Sequence, residues 1–195
     1  MGCCHGVVRF LEDEKYFGGV DRLFLGLVKM FHQIPQCATL GVSCAGHFEE
    51  TDGTDEWHKN SFDPSPWGHL NIAVASDEPH IRELLDLLQM VIAQDSDATF
   101  KKFDHLFGPP KGSKVEVWEI RIGDNGAVPE FGTNYCGGYL EKKGNRKVYL
   151  ASKKRYAEIE EFWKRLEVAV DQYCNKNGFN NLDLHKRAEE LFARW

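Results

Sequence analysis

One stretch of the chain decides the fold: residues 69–92 have the sequence HLNIAVASDEPHIRELLDLLQMVI. In its first part Leu70, Ile72 and Val74 alternate with more polar or smaller residues, which predicts a strand with one apolar face. The segment Ser76-Asp77-Glu78-Pro79 then offers a capping oxygen, acids for the positive end of a helix dipole and a proline for the first turn. An apolar stripe with helical spacing follows and predicts an amphipathic helix. Its residues are Ile81, Leu84, Leu85, Leu88, Val91 and Ile92.

The segment before this unit contains a helix and a strand. Apolar residues with helical spacing predict a helix that ends before Pro35. They are Val20, Leu23, Phe24, Leu27 and Phe31. The alternation from Thr39 to Cys44 predicts a half-buried strand. A long loop is expected over 45–68, and a loop of this length is more often a lid or a binding element than an idle connection.

The segment after the unit continues with strands. Thr99–Phe107 and Lys114–Ile122 have the composition and alternation of two strands. Tyr139 and Lys147–Leu150 predict a hairpin around Gly144-Asn145. Several of these connections are too short for helical crossovers, so some strand pairs must be antiparallel.

Two helices are predicted to close the chain. Their apolar stripes run from Ile159 to Tyr173 and from Leu184 to Trp195, with a break at Gly178. The predicted order of elements is α-β-β-α-β-β-β-α-α, which indicates the α+β class with a mixed sheet covered by helices. We expect one α/β domain over residues 1–195, in which 1–18 form an N-terminal segment and 45–68 the long loop.

The composition excludes several classes of protein. The chain has 195 residues, of which 42% are hydrophobic and 28% are charged, which is ordinary for a domain that folds without a metal or disulfide. Its six cysteines contain no CxxC spacing and are expected to be reduced. No apolar window approaches the roughly 20 residues that cross a bilayer, and the N-terminus lacks the pattern of a signal peptide. We therefore expect no membrane insertion and a cytoplasmic location.

The most unusual segment is Val42-Ser43-Cys44-Ala45-Gly46-His47. A predicted strand runs there into small residues, which let a ligand approach the backbone, and Gly46 can free N–H groups that point at an anion. Ser43 and Cys44 add side-chain donors or a nucleophile, and His47 adds an acid or base. The structural alternative is a tight turn with a buried cysteine and a solvated histidine.

The strand that follows adds two polar residues to this turn. If the two strands are neighbours, His69 and Asn71 share one polar face with Ser43 beside the Gly46 turn. A small polar ligand would then contact backbone donors, a hydroxyl and an imidazole that titrates near neutral pH. The candidate substrate-binding residues are Ser43, Cys44, Ala45, Gly46 and Asn71, and the candidate catalytic residues are His47 and His69.

The predicted loop also carries residue types that ligate metals. They are His47, Glu49, Glu50, Asp52, Asp55, Glu56, His58, Asp63 and His69. Such oxygen and imidazole groups can hold a divalent ion. Because there is no HExxH, EF-hand or His-x-His spacing, a polar surface loop explains the same residues. A metal-dependent hydrolase is kept as an alternative, and no metal ligand is assigned.

Charge is distributed unevenly along the chain. Residues 1–100 contain 16 acidic and 6 basic residues, whereas residues 101–195 contain 14 and 18. An acidic protein binds polyanions poorly, since nucleic-acid affinity depends on Lys and Arg, but a local patch is sufficient for a contact with RNA. Such a patch consists of Lys142, Lys143, Arg146, Lys147, Lys153, Lys154 and Arg155. A solvated hairpin and helix start explains the same run of charges.

A family resemblance rests on the turn and on the order of elements. A helix that begins near Gly19-Val20-Asp21 is followed by a break with proline and by a strand that ends in Ser43-Cys44-Ala45-Gly46-His47. In these features the chain resembles the wybutosine-synthesis tRNA methyltransferase family, whose proteins have a Ser-Ser-Cys-Ser-Gly-Arg turn after a similar helix. The strand from His69 to Ala75 and the helix after it are similar to that family's next elements. Val128-Pro129 and the break at 175–181 also follow its order.

The resemblance implies S-adenosylmethionine as cofactor, methyl transfer as reaction and tRNA as substrate. The chain differs from the family's turn at Val42, Ala45 and His47, and the last difference removes a permanent cation suited to a carboxylate or phosphate. Two classes of function therefore remain open. One is a methyltransferase that acts through the Ser43–His47 turn, and the other is a non-catalytic binding or interaction protein of the same fold.

Overall fold

The computed structural model contains two antiparallel sheets and three helices among residues 22–40, 43–51, 60–65, 67–102, 113–123 and 139–180, the part of the chain that it describes. The strands are Cys37–Thr39 (β1), His47–Glu50 (β2), Ser61–Ser65 (β3), Gly68–Ala75 (β4), Ala98–Lys102 (β5), Val115–Ile122 (β6) and Leu140–Glu141 (β7). The helices are Leu25–Gln33 (α1), Pro79–Ile92 (α2) and Arg146–Asn177 (α3). The predicted α+β class is confirmed. The order of elements follows the prediction, with β2 and β3 as additions.

The strand β4 lies at the centre of the larger sheet, whose order is β1-β4-β6-β5. It pairs with β6 over its whole length, from Gly68 opposite Ile122 to Ala75 opposite Val115. The helix α2 carries the chain from β4 to β5, but β6 lies between those two strands. The two strands that α2 connects are therefore not paired with each other. Every strand pair in the described part of the chain is antiparallel, whereas the sequence predicted that the sheet would also contain parallel pairs.

The main core lies between this sheet and the three helices. Leu70, Ile72 and Val74 on β4 belong to it, as their alternation predicted. The opposite face of β4 is not polar throughout, because Ala73 packs in a second, smaller cluster. The other members of that cluster are Ala38, Leu40, Val115 and Val117. The polar part of this face is therefore limited to the first half of β4.

The helix α2 begins at Pro79, as predicted, but without a side-chain cap. The hydroxyl of Ser76, the predicted capping group, instead donates to the carbonyl of Lys114. Of the predicted strand Thr99–Phe107, residues up to Lys102 form β5, and 103–107 lie outside the described residues. Within the described ranges, no helix combines the length and the apolar character needed to cross a bilayer.

The smaller sheet has the order β2-β3-β7. Its strands β2 and β3 lie in the segment that was predicted as a loop over 45–68. Two aromatic residues explain the difference: Phe48 and Phe62 lie on paired strands with ring centroids 5.8 Å apart. Both rings also contact Tyr149 of α3, at 5.5 and 5.2 Å. This aromatic cluster fixes the β2–β3 hairpin against the helix, because buried aromatic pairs contribute both area and specific edge contacts.

The helix α3 begins at Arg146, so the strand predicted over Lys147–Leu150 is wrong. A stretch this short cannot distinguish the two periods, and the helical conformation is the one that brings Tyr149 to the aromatic cluster. The helix ends at the predicted break, where Gly178 has a positive φ of 69°. The final helix predicted from Leu184 to Trp195 lies outside the described residues.

Candidate functional site

The Ser43–Gly46 turn lies beside β4, as the sequence analysis required. Cys44 and His69 form an antiparallel bridge, in which the Cys44 N–H donates to the His69 carbonyl at 2.9 Å and the His69 N–H donates to the Cys44 carbonyl at 2.7 Å. Residues directly opposite each other in an antiparallel pair project their side chains to the same side. Cys44, rather than Ser43, is therefore the turn residue that faces the same way as His69.

The Ser43 hydroxyl is engaged by the main chain on both sides. It donates to the Leu40 carbonyl at 3.1 Å and accepts from the Asn71 N–H at 3.3 Å. The first bond stays within the chain segment of the turn, and the second joins that segment to β4 just beyond the last β1–β4 residue pair. A hydroxyl that holds both neighbours in this way acts as a structural clamp, so its predicted role as a ligand-binding donor has no support from its contacts.

The remaining turn residues are packed into the protein. Ala45 is fully buried in the main core, and its carbonyl accepts a hydrogen bond of 2.9 Å from the indole N–H of Trp163. Gly46 is buried as well and has a φ of 83°, which favours glycine. Gly68 approaches the turn so closely that a Cβ there would lie 2.7 Å from the Ala45 oxygen. The turn is therefore a packed joint between β4 and α3.

The two candidate catalytic histidines have different settings. His69 is partly buried, and its ring is stacked on Trp67 with centroids 5.7 Å apart. Trp67 is 43% exposed. His47 begins β2, opposite Ser65, and its side chain lies outside the described part of the structure. The structure thus places the His47 backbone next to the packed turn and leaves the relation between the two imidazoles undescribed.

A polar face of the larger sheet surrounds His69. In the β4–β6 register, Arg121 lies opposite His69 and Glu119 lies opposite Asn71. The Arg121 Nε and a Glu119 carboxylate oxygen are 2.7 Å apart, and Glu119 is only 7% exposed. Sequence reasoning missed this pair, although the alternation of Val115–Ile122 places both residues on one face. This ion pair joins two residues of β6 that lie on the same face of the sheet.

The described residues contain no group of three His, Cys, Asp or Glu side chains arranged to hold a metal ion. Residues 52–59, which include four of the predicted ligand candidates, lie outside the described part. Glu50, another candidate, is engaged by cations instead.

A pocket of about 500 Å³ lies where β7 leads into α3. We call it the basic pocket. Its lining residues are Asn60, Lys142, Lys143, Arg146, Tyr149 and Leu150. Three of the six are permanent cations at neutral pH, and Leu150 is 55% exposed. Three of the seven residues of the predicted basic patch thus lie around one concavity, and Asn60, next to β3, supplies another part of its wall.

Glu50 joins this wall to the helix. Its carboxylate accepts from the Lys142 ammonium at 2.7 Å, the Tyr149 hydroxyl at 2.8 Å and the Lys153 ammonium at 3.3 Å. Hydrogen bonds from Lys142 and Tyr149 lower the pKa of Glu50 to about 2. The same carboxylate raises the pKa of Lys153. The Glu50 carboxylate and the Lys153 ammonium are therefore both charged at neutral pH.

The other cations of the predicted patch have separate roles. Arg155 forms ion pairs with Asp97 and with Glu158. The pair with Asp97 connects α3 to the segment between α2 and β5. Lys154 lies 3.8 Å from Glu158 and is highly exposed. By contrast, Lys143 and Arg146 form no ion pair within the described residues.

The start of α3 adds to the positive potential of the pocket. Its first turn contains no acidic residue, and Asn145 provides no side-chain cap, because its amide donates to the Glu141 carbonyl at 2.9 Å. The positive end of a helix dipole favours anions, and cations placed there are disfavoured. The cations at the N-terminal end of α3 are therefore unfavourable for folding of the helix. Such a placement is expected where the cations bind a ligand, and it is not expected where they serve to stabilise the helix.

Sequence reasoning found Lys142, Lys143 and Arg146 but missed Asn60 and Tyr149, and it considered Glu50 only as a candidate metal ligand. Glu50 and Lys142 are separated by 92 positions, and their contact depends on the β2–β3 hairpin. The usable signal was the pair of aromatics Phe48 and Phe62, each flanked by polar residues as in a half-buried strand.

Comparison of the chain with protein-family models, curated proteins and solved structures gives no match. The resemblance to the wybutosine-synthesis methyltransferases accordingly stays a prediction from the sequence.

Proposed function

We propose that the protein binds RNA through the basic pocket and the exposed helix surface that continues from it. The observation that carries the proposal is the grouping of Lys142, Lys143 and Arg146 around a concavity of about 500 Å³. Lys and Arg around a pocket can neutralise phosphate oxygens and release the condensed counterions of a nucleic acid. Sequence specificity would require base contacts that these cations do not provide.

The shape of the cationic surface favours a polyanion over a single phosphate. Along α3, Arg146, Leu150 and Lys153 have the i, i+4, i+7 spacing of one helix face, and Lys147 and Lys154 lie on the same side. From Arg146 to Lys154 the helix rise gives a length of about 12 Å. A charged stripe of this length can follow a nucleic-acid backbone over several phosphates.

Methyl transfer from S-adenosylmethionine is a separate expectation from the resemblance. The described turn residues do not fit a cofactor site: the Ser43 hydroxyl is engaged by two backbone groups, and Ala45 is fully buried under Trp163.

The proposal is tested by fluorescence anisotropy with a labelled single-stranded RNA oligomer across a range of salt concentrations. The variant carries Lys143→Glu and Arg146→Glu. We expect affinity at least about ten-fold weaker near 0.1 M salt and a salt slope smaller by about 1.4, since each lost phosphate contact removes about 0.7.

A matched control carries Lys164→Glu and Lys176→Glu, which change the net charge equally. Both lysines are exposed on the later part of α3, and Lys164 lies about 27 Å from Arg146 along the helix axis. We expect the control to retain most of the affinity. Equal weakening in both variants, or no RNA binding by the natural protein below about 0.1 mM, would refute the proposal.

A further inference from the structure

Two hydrogen-bond donors of the basic pocket already bind a carboxylate. Lys142 and Tyr149 line the pocket, and both donate to Glu50. A phosphate oxygen uses the same ammonium and hydroxyl donors as a carboxylate oxygen. Glu50 is therefore placed as an internal anion in competition with any anionic ligand.

Building on the RNA-binding function proposed above, we propose that Glu50 is a selectivity residue of the basic pocket. Its carboxylate holds Lys142 and Lys153 until a phosphate of the ligand displaces it. Singly charged anions compete poorly with an anion that is tethered at the site, whereas adjacent phosphates of one RNA strand gain by binding together. Glu50 thus weakens binding in general and weakens binding of small anions most.

The surrounding contacts show that Glu50 is not needed to hold the pocket together. The ring of Tyr149 is fixed by Phe48 and Phe62, and the Lys142 N–H donates to the Asn60 carbonyl at 2.9 Å. These contacts join the hairpin, β7 and α3 independently of the carboxylate. The ion pairs of Glu50 are also partly exposed, and exposed ion pairs contribute little to stability.

The low pKa of Glu50 excludes release by ordinary acidification. With a pKa of about 2, the carboxylate stays charged in mildly acidic as well as in neutral solution. Displacement by a competing anion is then the remaining way to free the two lysines.

The test is the variant Glu50→Gln, which keeps the shape and a hydrogen-bond acceptor for Tyr149 but removes the charge. We expect its affinity for the RNA oligomer to increase about five-fold near 0.1 M salt, since a like charge is removed beside the bound phosphate. The salt slope should steepen by up to about 1.4, because two more cations become available. Affinity for inorganic phosphate, measured by competition against the oligomer, should increase by a larger factor than affinity for the oligomer, because Glu50 weakens the binding of small anions most.

A double-mutant cycle separates this effect from a general change in charge. In a chain that also carries Lys142→Gln and Lys153→Gln, Glu50→Gln should give no increase. Glu161→Gln is the matched control, since it removes one carboxylate from an exposed position of α3 outside the pocket, and it should change affinity less than two-fold.

Two results overturn the inference. Affinity that is unchanged or lower in Glu50→Gln shows that the carboxylate does not compete, and a lower melting temperature with it shows that Glu50 is structural. An increase that persists without Lys142 and Lys153 shows that only net charge matters. In each case RNA binding itself stands if Lys143→Glu with Arg146→Glu weakens it, and fails if that variant binds as tightly as the natural protein.

Discussion

The close approach of β4 to the turn makes Gly68→Ala a sharp test of the fold. An alanine Cβ at position 68 would lie 2.7 Å from the Ala45 oxygen, 2.8 Å from its carbonyl carbon and 3.0 Å from the Cys44 oxygen. Ordinary van der Waals contact begins at 3.4 Å, so one strand must move by several tenths of an ångström. All three obstructing atoms are backbone, and the Ala45 oxygen is also held by Trp163.

Overpacking at a rigid site costs about 1–3 kcal/mol. Because the backbone rather than a flexible side chain must move, we expect the free energy of unfolding to fall by about 2–3 kcal/mol. For a chain of this length each kcal/mol lowers the melting temperature by about 2–4 °C, which gives a decrease of about 4–12 °C. Differential scanning calorimetry and urea unfolding would measure it.

Gly26→Ala is the matched control. A Cβ there would meet only the carboxyl end of Glu167, which can rotate away, and alanine is favoured over glycine inside a helix by about 1 kcal/mol. We expect this variant to be as stable as the natural protein or more stable. If Gly68→Ala and Gly26→Ala have the same stability, the packing of the turn against β4 described above is wrong.

Two further predictions concern buried groups. Trp163→Phe should lower the free energy of unfolding by about 2–4 kcal/mol, because it leaves the buried Ala45 carbonyl without its donor and opens a gap in the core. Urea unfolding would measure this decrease. The control is Trp67→Phe, at an exposed position, which should lower the free energy of unfolding by less than about 0.5 kcal/mol. Burial lowers the pKa of His32 to about 4 from 6.5, so the unfolded chain binds a proton between these values while the native protein does not. Stability is then complete above pH 6.5 and declines by up to about 3 kcal/mol as the pH falls to 4. Unfolding measured at pH 7 and pH 5 should show about 2 kcal/mol of this decline in the natural protein and a smaller decline in His32→Gln; equal declines would contradict the assignment.

The sequence predicted best where a period extends over many residues. The alternation of β4 and the stripe of α2 carry enough apolar positions to determine both the element and its buried face. Short elements were less predictable: Lys147–Leu150 has too few residues to separate a strand from a helix. β2 and β3 were missed because their hydrophobic residues are few, and because Phe48 and Phe62 find their partner, Tyr149, only after the chain has folded.

The candidate site divides in the same way. That Ser43–Gly46 lies beside His69 followed from the expectation that consecutive strands are neighbours. The packing of Ala45 under Trp163 could not be predicted in this way, because Trp163 lies on a helix and is 118 positions later in the chain. The lysines of the basic pocket were visible as a local run of charge, whereas Glu50 becomes part of the pocket only through tertiary contact.

The helix α3 has a consequence for how the molecule responds to force. Tyr149 fastens it to the small sheet and Trp163 fastens it to the turn beside the large one, about 21 Å further along a continuous helix. The helix is a rigid connection between these two contacts. A tilt of either sheet would require α3 to bend or one of the contacts to break. Immobilising the first turns of α3 would therefore also restrict movement at the bridge between Cys44 and His69.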